Sequence, residues 1–268
     1  MAVKDGLIRA GAELAGLRVE YGPAGVGQVI FDRPGTLNSL DLATMEGLLR
    51  ALDAIRDDPA VRAVILTGAN GGFCSGADLH EIDRYAEATE AEVTATLRHL
   101  MRVSAKLRGL PQPTIAVLDG PAVGAGMSFA LSCDVRIASP SALLLPAFIR
   151  MGLVPDCGLS WLLPRLIGDG AALELLITGR PVDAARAVAL GLFTRVCDDP
   201  MSAGIELATL FAARPPLAVA ATKRLLRAAA TSSLEEVIDA EAAAQAAAFH
   251  RDEFASSVAA WRSHRTAD

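Results

Sequence analysis

Two rhythms of apolar and polar positions run along this chain. Leu17 to Tyr21 and Val26 to Phe31 alternate around Gly22-Pro23-Ala24-Gly25, the pattern of a two-stranded hairpin. From Asp41 to Arg56 the period lengthens, and Leu42, Met45, Leu48, Leu49, Leu52 and Ile55 share one helical stripe. Three short β-branched or apolar runs follow, at Ala63–Leu66, Thr114–Leu118 and Val135–Ala138, with helix starts at Asp78 and Ala125 between them. Serial strand and helix units predict an α/β architecture with crossover connections. After Ser202 the strand signal stops. Alanine-rich helical runs cover 205–213, 217–230, 234–249 and 253–262, broken by Arg214-Pro215-Pro216, Thr231-Ser232-Ser233 and Arg251-Asp252. The expected division is a strand-bearing core over 1–201 and a helical region over 202–268. The charge run from Glu81 to Glu92 reads as a solvated loop and helix face.

Two strand-to-helix junctions carry the candidate chemistry. At Pro113–Cys133 a strand meets the turn Asp119-Gly120-Pro121, and then an uncharged small-residue helix opens at Gly124-Ala125-Gly126. Glycines there let a ligand approach the backbone, and the unpaired N–H groups of a helix start can hold negative charge. Close packing of a buried helix on a sheet explains the same glycines. A dinucleotide fingerprint does not, because Phe129 stands where its third glycine belongs. The second junction, Ala63–Ile82, repeats the grammar: a strand, the loop Gly68-Ala-Asn-Gly-Gly72, and a helix start. Asp78 followed by Glu81 reads as a capping box, with the N–H groups of Gly76 and Ala77 at the helix mouth. A pair of N–H groups from two such turns can stabilise an oxyanion without side chains.

Composition narrows the class. The chain has 268 residues, enough for one large core, and is 52% apolar with only 4% aromatic residues, so that core is built of Ala, Leu, Val and Ile. A net charge of −6 argues against a nucleic-acid-binding surface. Cys74, Cys133, Cys157 and Cys197 have no metal-ligand spacing and are too sparse for a disulfide framework, so no metal is expected and the thiols read as free. Charges at Lys4, Asp5, Arg9, Glu13 and Arg18 interrupt the N-terminal twenty residues, and the longest uncharged segment, Gly120–Cys133, is too short for a bilayer span. A cytoplasmic protein with no membrane partner is expected.

The strings Phe73-Cys-Ser-Gly-Ala-Asp-Leu-His-Glu-Ile82 and Pro113-Thr-Ile-Ala-Val-Leu-Asp-Gly-Pro-Ala-Val-Gly-Ala-Gly126, preceded by Arg33-Pro34 and Leu37-Asn38-Ser39-Leu40, resemble the crotonase superfamily, the enoyl-CoA hydratase/isomerase family. The resemblance runs from about Leu17 to Arg262. It implies a spiral of ββα units with a C-terminal all-helical trimerisation region, a distinction from a doubly wound sheet that periodicity leaves open. It also implies an acyl-CoA thioester as substrate, no other cofactor, and a homotrimer or dimer of trimers. The oxyanion donors would be the N–H groups of Ala77 and Ala125. The CoA site would be drawn from Asn38, Ser39, Leu40, Ser75, Gly76, Asp78 and Leu79, with Gly124, Ser128 and Phe148 around the acyl group. Phe254 and Trp261 are candidates to border a neighbour's CoA site, or are ordinary packing aromatics. The region of Glu81–Glu92 caps the acyl site in the family.

The acid–base group departs from the hydratase pattern. Where the family's hydratases place two glutamates, this chain has Ser128 and Phe148, neither of which serves as a base near neutral pH. Downstream, Gly152-Leu-Val-Pro-Asp156-Cys-Gly resembles the segment of the family's isomerases in which one acid after the proline is the base. That acid is Asp156. A lone carboxylate facing an apolar pocket has its pKa raised, which suits proton transfer between carbons. A second reading has Asp156 only capping a helix over Cys157–Leu166. Ser128 as nucleophile lacks a histidine partner, His80 reads as a surface residue, and Lys223, Arg224 and Arg227 read as a solvated face or as phosphate contacts. The expected activity is double-bond isomerisation of an enoyl-CoA. Hydration, another reaction of the superfamily, or CoA-thioester binding without chemistry remain as alternatives.

Overall fold

A computed structural model of the chain describes residues 12–265. In chain order the elements are β1 (Ala12–Leu14), β2 (Leu17–Tyr21), β3 (Val26–Phe31), α1 (Leu42–Asp57), β4 (Ala63–Gly68), α2 (Leu79–Glu87), α3 (Glu90–Leu100) and α4 (Arg102–Gly109). Then come β5 (Thr114–Leu118), β6 (Pro121–Val123), α5 (Ala125–Ser132), β7 (Val135–Ala138), β8 (Leu143–Leu145), α6 (Leu159–Ile167), α7 (Asp169–Thr178), β9 (Val182–Asp183), α8 (Ala184–Ala189) and β10 (Arg195–Val196). The helices α9 (Pro200–Ala212), α10 (Pro216–Ala228), α11 (Leu234–Phe249) and α12 (Asp252–Arg265) close the chain. None of the described helices is long and apolar enough to cross a membrane.

The large sheet has the order β1-β2-β3-β4-β5-β7-β10. The hairpin β2–β3 is antiparallel, as the alternation predicts, and pairing from β3 through β10 is parallel. A smaller sheet, β6-β8-β9, runs beside it. The backbone winds between them: β5 leads into β6 and β7 into β8, while Cys74, downstream of β4, bridges to Ala122 of β6. From β4 onward each turn of the chain therefore visits both sheets, by a strand or, at Cys74, by a single bridge, which makes the fold a spiral and distinguishes it from a doubly wound sheet.

Parallel strands covered on both faces must be apolar on both. Every residue of β5 is buried, and Ala116 and Leu118 face the core shared with α1, α4 and α5 while Ile115 and Val117 face Ala208 and Ala212 of α9. The helix α9 thus belongs to the core, and the expected division at 201/202 falls inside it. The structure also refines the reading of the charged run and changes two helix starts. The Glu81–Glu92 run is helical across most of its length, in α2 and α3, with a capping box at Thr89 and Glu92. Asp78 is the N-cap of α2, but its carboxylate accepts from the N–H of His80 and there is no capping box with Glu81, which pairs with Arg84. The helix predicted over Cys157–Leu166 begins only at Leu159, and its N-cap is Gly158.

Candidate functional site

The first junction is held by a polar latch. Asn38, in the left-handed region with φ 60°, accepts from the N–H of Arg33 and donates through Nδ2 to the carbonyls of Ala69 and Gly72, each at 2.9 Å. Arg33 Nη1 reaches the Ser39 carbonyl at 2.8 Å and Asp78 Oδ2 at 3.0 Å, and Ser39 Oγ donates to the same Asp78 oxygen at 2.9 Å. These bonds lower the Asp78 pKa, the one from Ser39 most strongly. Asn38, Ser39 and Asp78 are buried and internally bonded, so their side chains shape the loop from within. Asp78→Ala leaves the Arg33 and Ser39 donors without their acceptor, and a loss of about 2 kcal/mol is expected in urea denaturation at neutral pH. Because the native pKa is depressed, that contribution is present above about pH 4 and fades as pH falls through the native value.

The latch aims a backbone donor. Leu40 and Ala77 form a parallel bridge, with Leu40 N–H on the Gly76 carbonyl at 2.8 Å and Asp78 N–H on the Leu40 carbonyl at 2.9 Å. In such a bridge the N–H of the middle residue points away from its partner strand. Ala77 is that residue, is exposed, and donates to no described acceptor.

The second junction supplies the other donor. Gly124, with φ 53°, turns the chain from β6 into α5 and donates its N–H to the Leu145 carbonyl at 2.9 Å. Ala125 is the first residue of α5, where no intrahelical acceptor exists, and its N–H donates to no described residue. All eight residues of α5 are buried, so the helix cannot shift without disturbing the core. The two junctions touch: a Cβ on Gly126 would lie 2.5 Å from the Cys74 carbonyl oxygen, and one on Gly76 would lie 2.9 Å from that of Val123 and 3.8 Å from Ala125 N. Beneath them Phe31 joins Phe73 of the first junction edge-on at 5.7 Å and Phe129 of α5 by stacking at 6.4 Å. Two unpaired N–H groups therefore lie in adjoining rigid turns, an arrangement suited to one shared anionic oxygen.

The Asp156 backbone is tied to the second junction. Ser128, one helical turn beyond Ala125, donates its hydroxyl to the Asp156 carbonyl at 3.2 Å and to the Gly124 carbonyl at 3.3 Å. Cys157 and Gly158 follow in left-handed conformations, φ 47° and 79°, which turn the chain back into α6. The Asp156 side chain caps nothing: α6 has no side-chain cap, so the capping alternative fails. Its Oδ1 is buried and accepts no hydrogen bond from a described residue. Burial pushes its pKa up to about 6, against a smaller lowering by the Cys157 thiol that donates to it. Burial likewise raises the Cys157 thiol, which stays protonated as a donor.

The other expected residues divide into two groups. Ser128 is fully buried, so it ties the Asp156 backbone to α5 and has no open face for a substrate. The ring of Phe148 is buried 3.7 Å from a Cβ position on Gly124 and walls the turn. Leu79 is 70% exposed beside Ala77, an apolar side chain at the mouth, and Ser75 is half-buried with its hydroxyl on the Thr36 carbonyl. Lys223 and Arg227 do not form the solvated face expected of them; both pair with Asp134, at 2.5 and 2.8 Å. Strand β6 and the Ser128 link escaped the sequence reading. A three-residue strand carries too little periodicity, and a hydroxyl bond across 28 residues leaves no local signal.

Comparison with known proteins agrees with this geometry. The family model described as enoyl-CoA hydratase/isomerase matches residues 22–268. The 1,2-epoxyphenylacetyl-CoA isomerase of Escherichia coli (strain K12) is 32% identical over 246 residues, covering 90% of this chain and 94% of the relative. Among solved structures, an enoyl-CoA hydratase/isomerase from Cupriavidus metallidurans CH34 superposes with a TM-score of 0.88 at 33% identity, covering 94% of this chain and 95% of the other. An enoyl-CoA hydratase from Bacillus anthracis gives 0.88 at 32%, covering 93% and 96%. The chain belongs to the enoyl-CoA hydratase/isomerase family of the crotonase superfamily and is an acyl-CoA enzyme of that type.

Proposed function

We propose that this enzyme moves a double bond within an enoyl-CoA thioester, with Asp156 as its single acid–base group and Ala77 and Ala125 as oxyanion donors. The observation that carries the reading is the Asp156 carboxyl, its Oδ1 buried without a described partner and its pKa about 6, on a backbone that Ser128 ties to the turn carrying the unpaired Ala125 N–H. In a 3-enoyl thioester the ionised Asp156 takes a proton from C2. The electron pair moves onto the thioester oxygen as an enolate, held by the two N–H groups. Collapse of the enolate draws the proton from Asp156 onto C4 and leaves the double bond between C2 and C3. One proton leaves and returns, so the mass is unchanged. The residues at the hydratases' two carboxylate positions support the choice: Ser128 is buried and bonded to carbonyls, and Phe148 is apolar.

CoA is bound in this reading as part of the substrate, along the backbone of 38–40 and 75–79, and no further cofactor takes part. The tail helices α10 and α11 expose Leu217, Leu234, Ile238 and Phe249, which supports packing of the tail on other copies in a trimer or a dimer of trimers; a cytoplasmic location belongs to the same reading. The hydratase reading remains the competitor, since a structural relative carries that name. Purified protein offered a 3-enoyl-CoA is expected to produce a conjugated 2-enoyl thioester, read by ultraviolet absorbance, at unchanged mass. A gain of one water on a 2-enoyl-CoA, with no conversion of the 3-enoyl isomer, sinks the proposal in favour of hydration.

A further inference from the structure

Away from the two turns, at the opposite end of α5 and between α6 and α10, lies a cleft of about 610 Å³. Its volume is in the range of small-ligand sites. Leu131, Leu162, Phe211 and Trp161 make its apolar surface, and six cations line it: Arg108, Arg136, Arg165, Arg214, Lys223 and Arg227. Asp134 is the sole acid among the lining residues, and it already binds Lys223 and Arg227. Arg136 is committed to the carbonyls of Leu192 and Cys133. The guanidinium carbons of Arg108 and Arg165 lie 4.9 and 4.0 Å from the Trp161 ring centre, which fixes them by cation–π contact; Arg165 Nη1 donates to the Trp161 carbonyl at 3.0 Å, and the remaining N–H groups are left to other acceptors. Among the described residues, Arg108, Arg165 and Arg214 meet no carboxylate at ion-pair distance.

We propose that this cleft is a second, anion-binding site, which takes a phosphate- or pyrophosphate-bearing ligand between Arg108, Arg165 and Arg214. A local excess of five positive charges stands in a chain whose net charge is −6, so the concentration of cations is particular to this place. Planar guanidinium forks match phosphate oxygens in pairs, and low-dielectric walls strengthen such contacts. Burial lowers the Arg108 pKa most, and the neighbouring Arg227 and Arg165 lower it further against the opposing pull of Asp134.

Trp161 is one of two tryptophans, so in a Trp261→Phe chain it reports the cleft alone. Titration with inorganic pyrophosphate at constant ionic strength is expected to change its fluorescence saturably, with one site per chain by calorimetry. The double variant Arg108→Gln/Arg165→Gln is expected to weaken binding at least tenfold, and Arg214→Gln, an exposed change, several-fold, while Asp156→Asn leaves binding unchanged. ADP in place of pyrophosphate separates the two sources: equal affinity assigns the site to the phosphate groups alone, and a gain of tenfold or more to a nucleotide. Binding that fails to saturate, or that survives the double variant, overturns the proposal. So does absence of binding together with a smaller sedimenting species for the double variant, which would make the cleft an interface between copies.

Discussion

Asp156→Asn is expected to reduce double-bond transfer by about 10³-fold, the scale of removing a positioned general base, and at the same time to alter how stability depends on pH. In the native chain the carboxyl is held at about 6, against 3.8 for the free group. Below about pH 4 it is protonated in folded and unfolded states alike and has no differential effect. Between about 4 and 6 the unfolded chain ionises while the folded one keeps its proton, so stability falls as pH rises. Above 6 the full cost of a buried carboxylate is present, about 3 kcal/mol for a shift near two units. The variant lacks this slope. Urea denaturation at pH 4 and pH 7 should show it gaining about 3 kcal/mol relative to the parent at the higher pH, despite its loss of activity. The parent's kcat/KM should rise through pH 6 to a plateau, since only the ionised form accepts the proton. A variant with parental activity, or one whose relative stability ignores pH, would remove Asp156 from the mechanism.

The second large effect is expected at Gly76, which sets the spacing of the two donors. Its φ of 86° disfavours any side chain, and the Cβ of Gly76→Ala would press on the Val123 carbonyl oxygen at 2.9 Å. Relief of that contact separates the first junction from the second, and Ala77 N–H moves relative to Ala125 N–H. An oxyanion needs both donors near 2.7–3.1 Å, and loss of one costs about 100-fold or more in rate. Gly76→Ala is therefore expected to lower kcat about 100-fold with a much smaller change in KM. Gly71→Ala is the control: its φ is also positive, at 72°, but nothing lies within 4 Å of the added methyl. It should cost about 1 kcal/mol of stability through backbone strain alone and leave kcat intact. Equal kinetic damage from both would mean that general loop strain, and not donor spacing, is responsible.

Most of the fold was legible in the sequence wherever burial imposed a period. The hairpin β2–β3, the stripe of α1 and the strands β4, β5 and β7 follow from apolar spacing, because burial fixes their period, while the starts of α2 and α5 follow from Asp78 and from the glycines around Ala125. The charged run Glu81–Glu92, read as a solvated loop and helix face, forms the exposed helices α2 and α3 with a short break between them, and Asp78 and Thr89 cap their starts. The capping box expected at Asp78 fails for a tertiary reason: Arg33 and Ser39 claim its other oxygen.

The sequence by itself determined the chemical inventory: two glycine-bearing strand-to-helix turns, Ser128 and Phe148 in place of two carboxylates, and one acid after Pro155. These are local, because turn chemistry and helix starts depend on residues a few positions apart. Only the tertiary structure decided that the turns touch through Gly76 and Gly126, and that Ser128 ties the Asp156 backbone to α5. It alone showed that Asp156 caps no helix and keeps Oδ1 without a partner. It alone gathered Arg108, Arg165 and Arg214 from three distant segments into one cleft. The physical reason is common to all of these: pKa, donor pairing and charge crowding are set by distance and desolvation, and those quantities exist only once the chain has closed on itself.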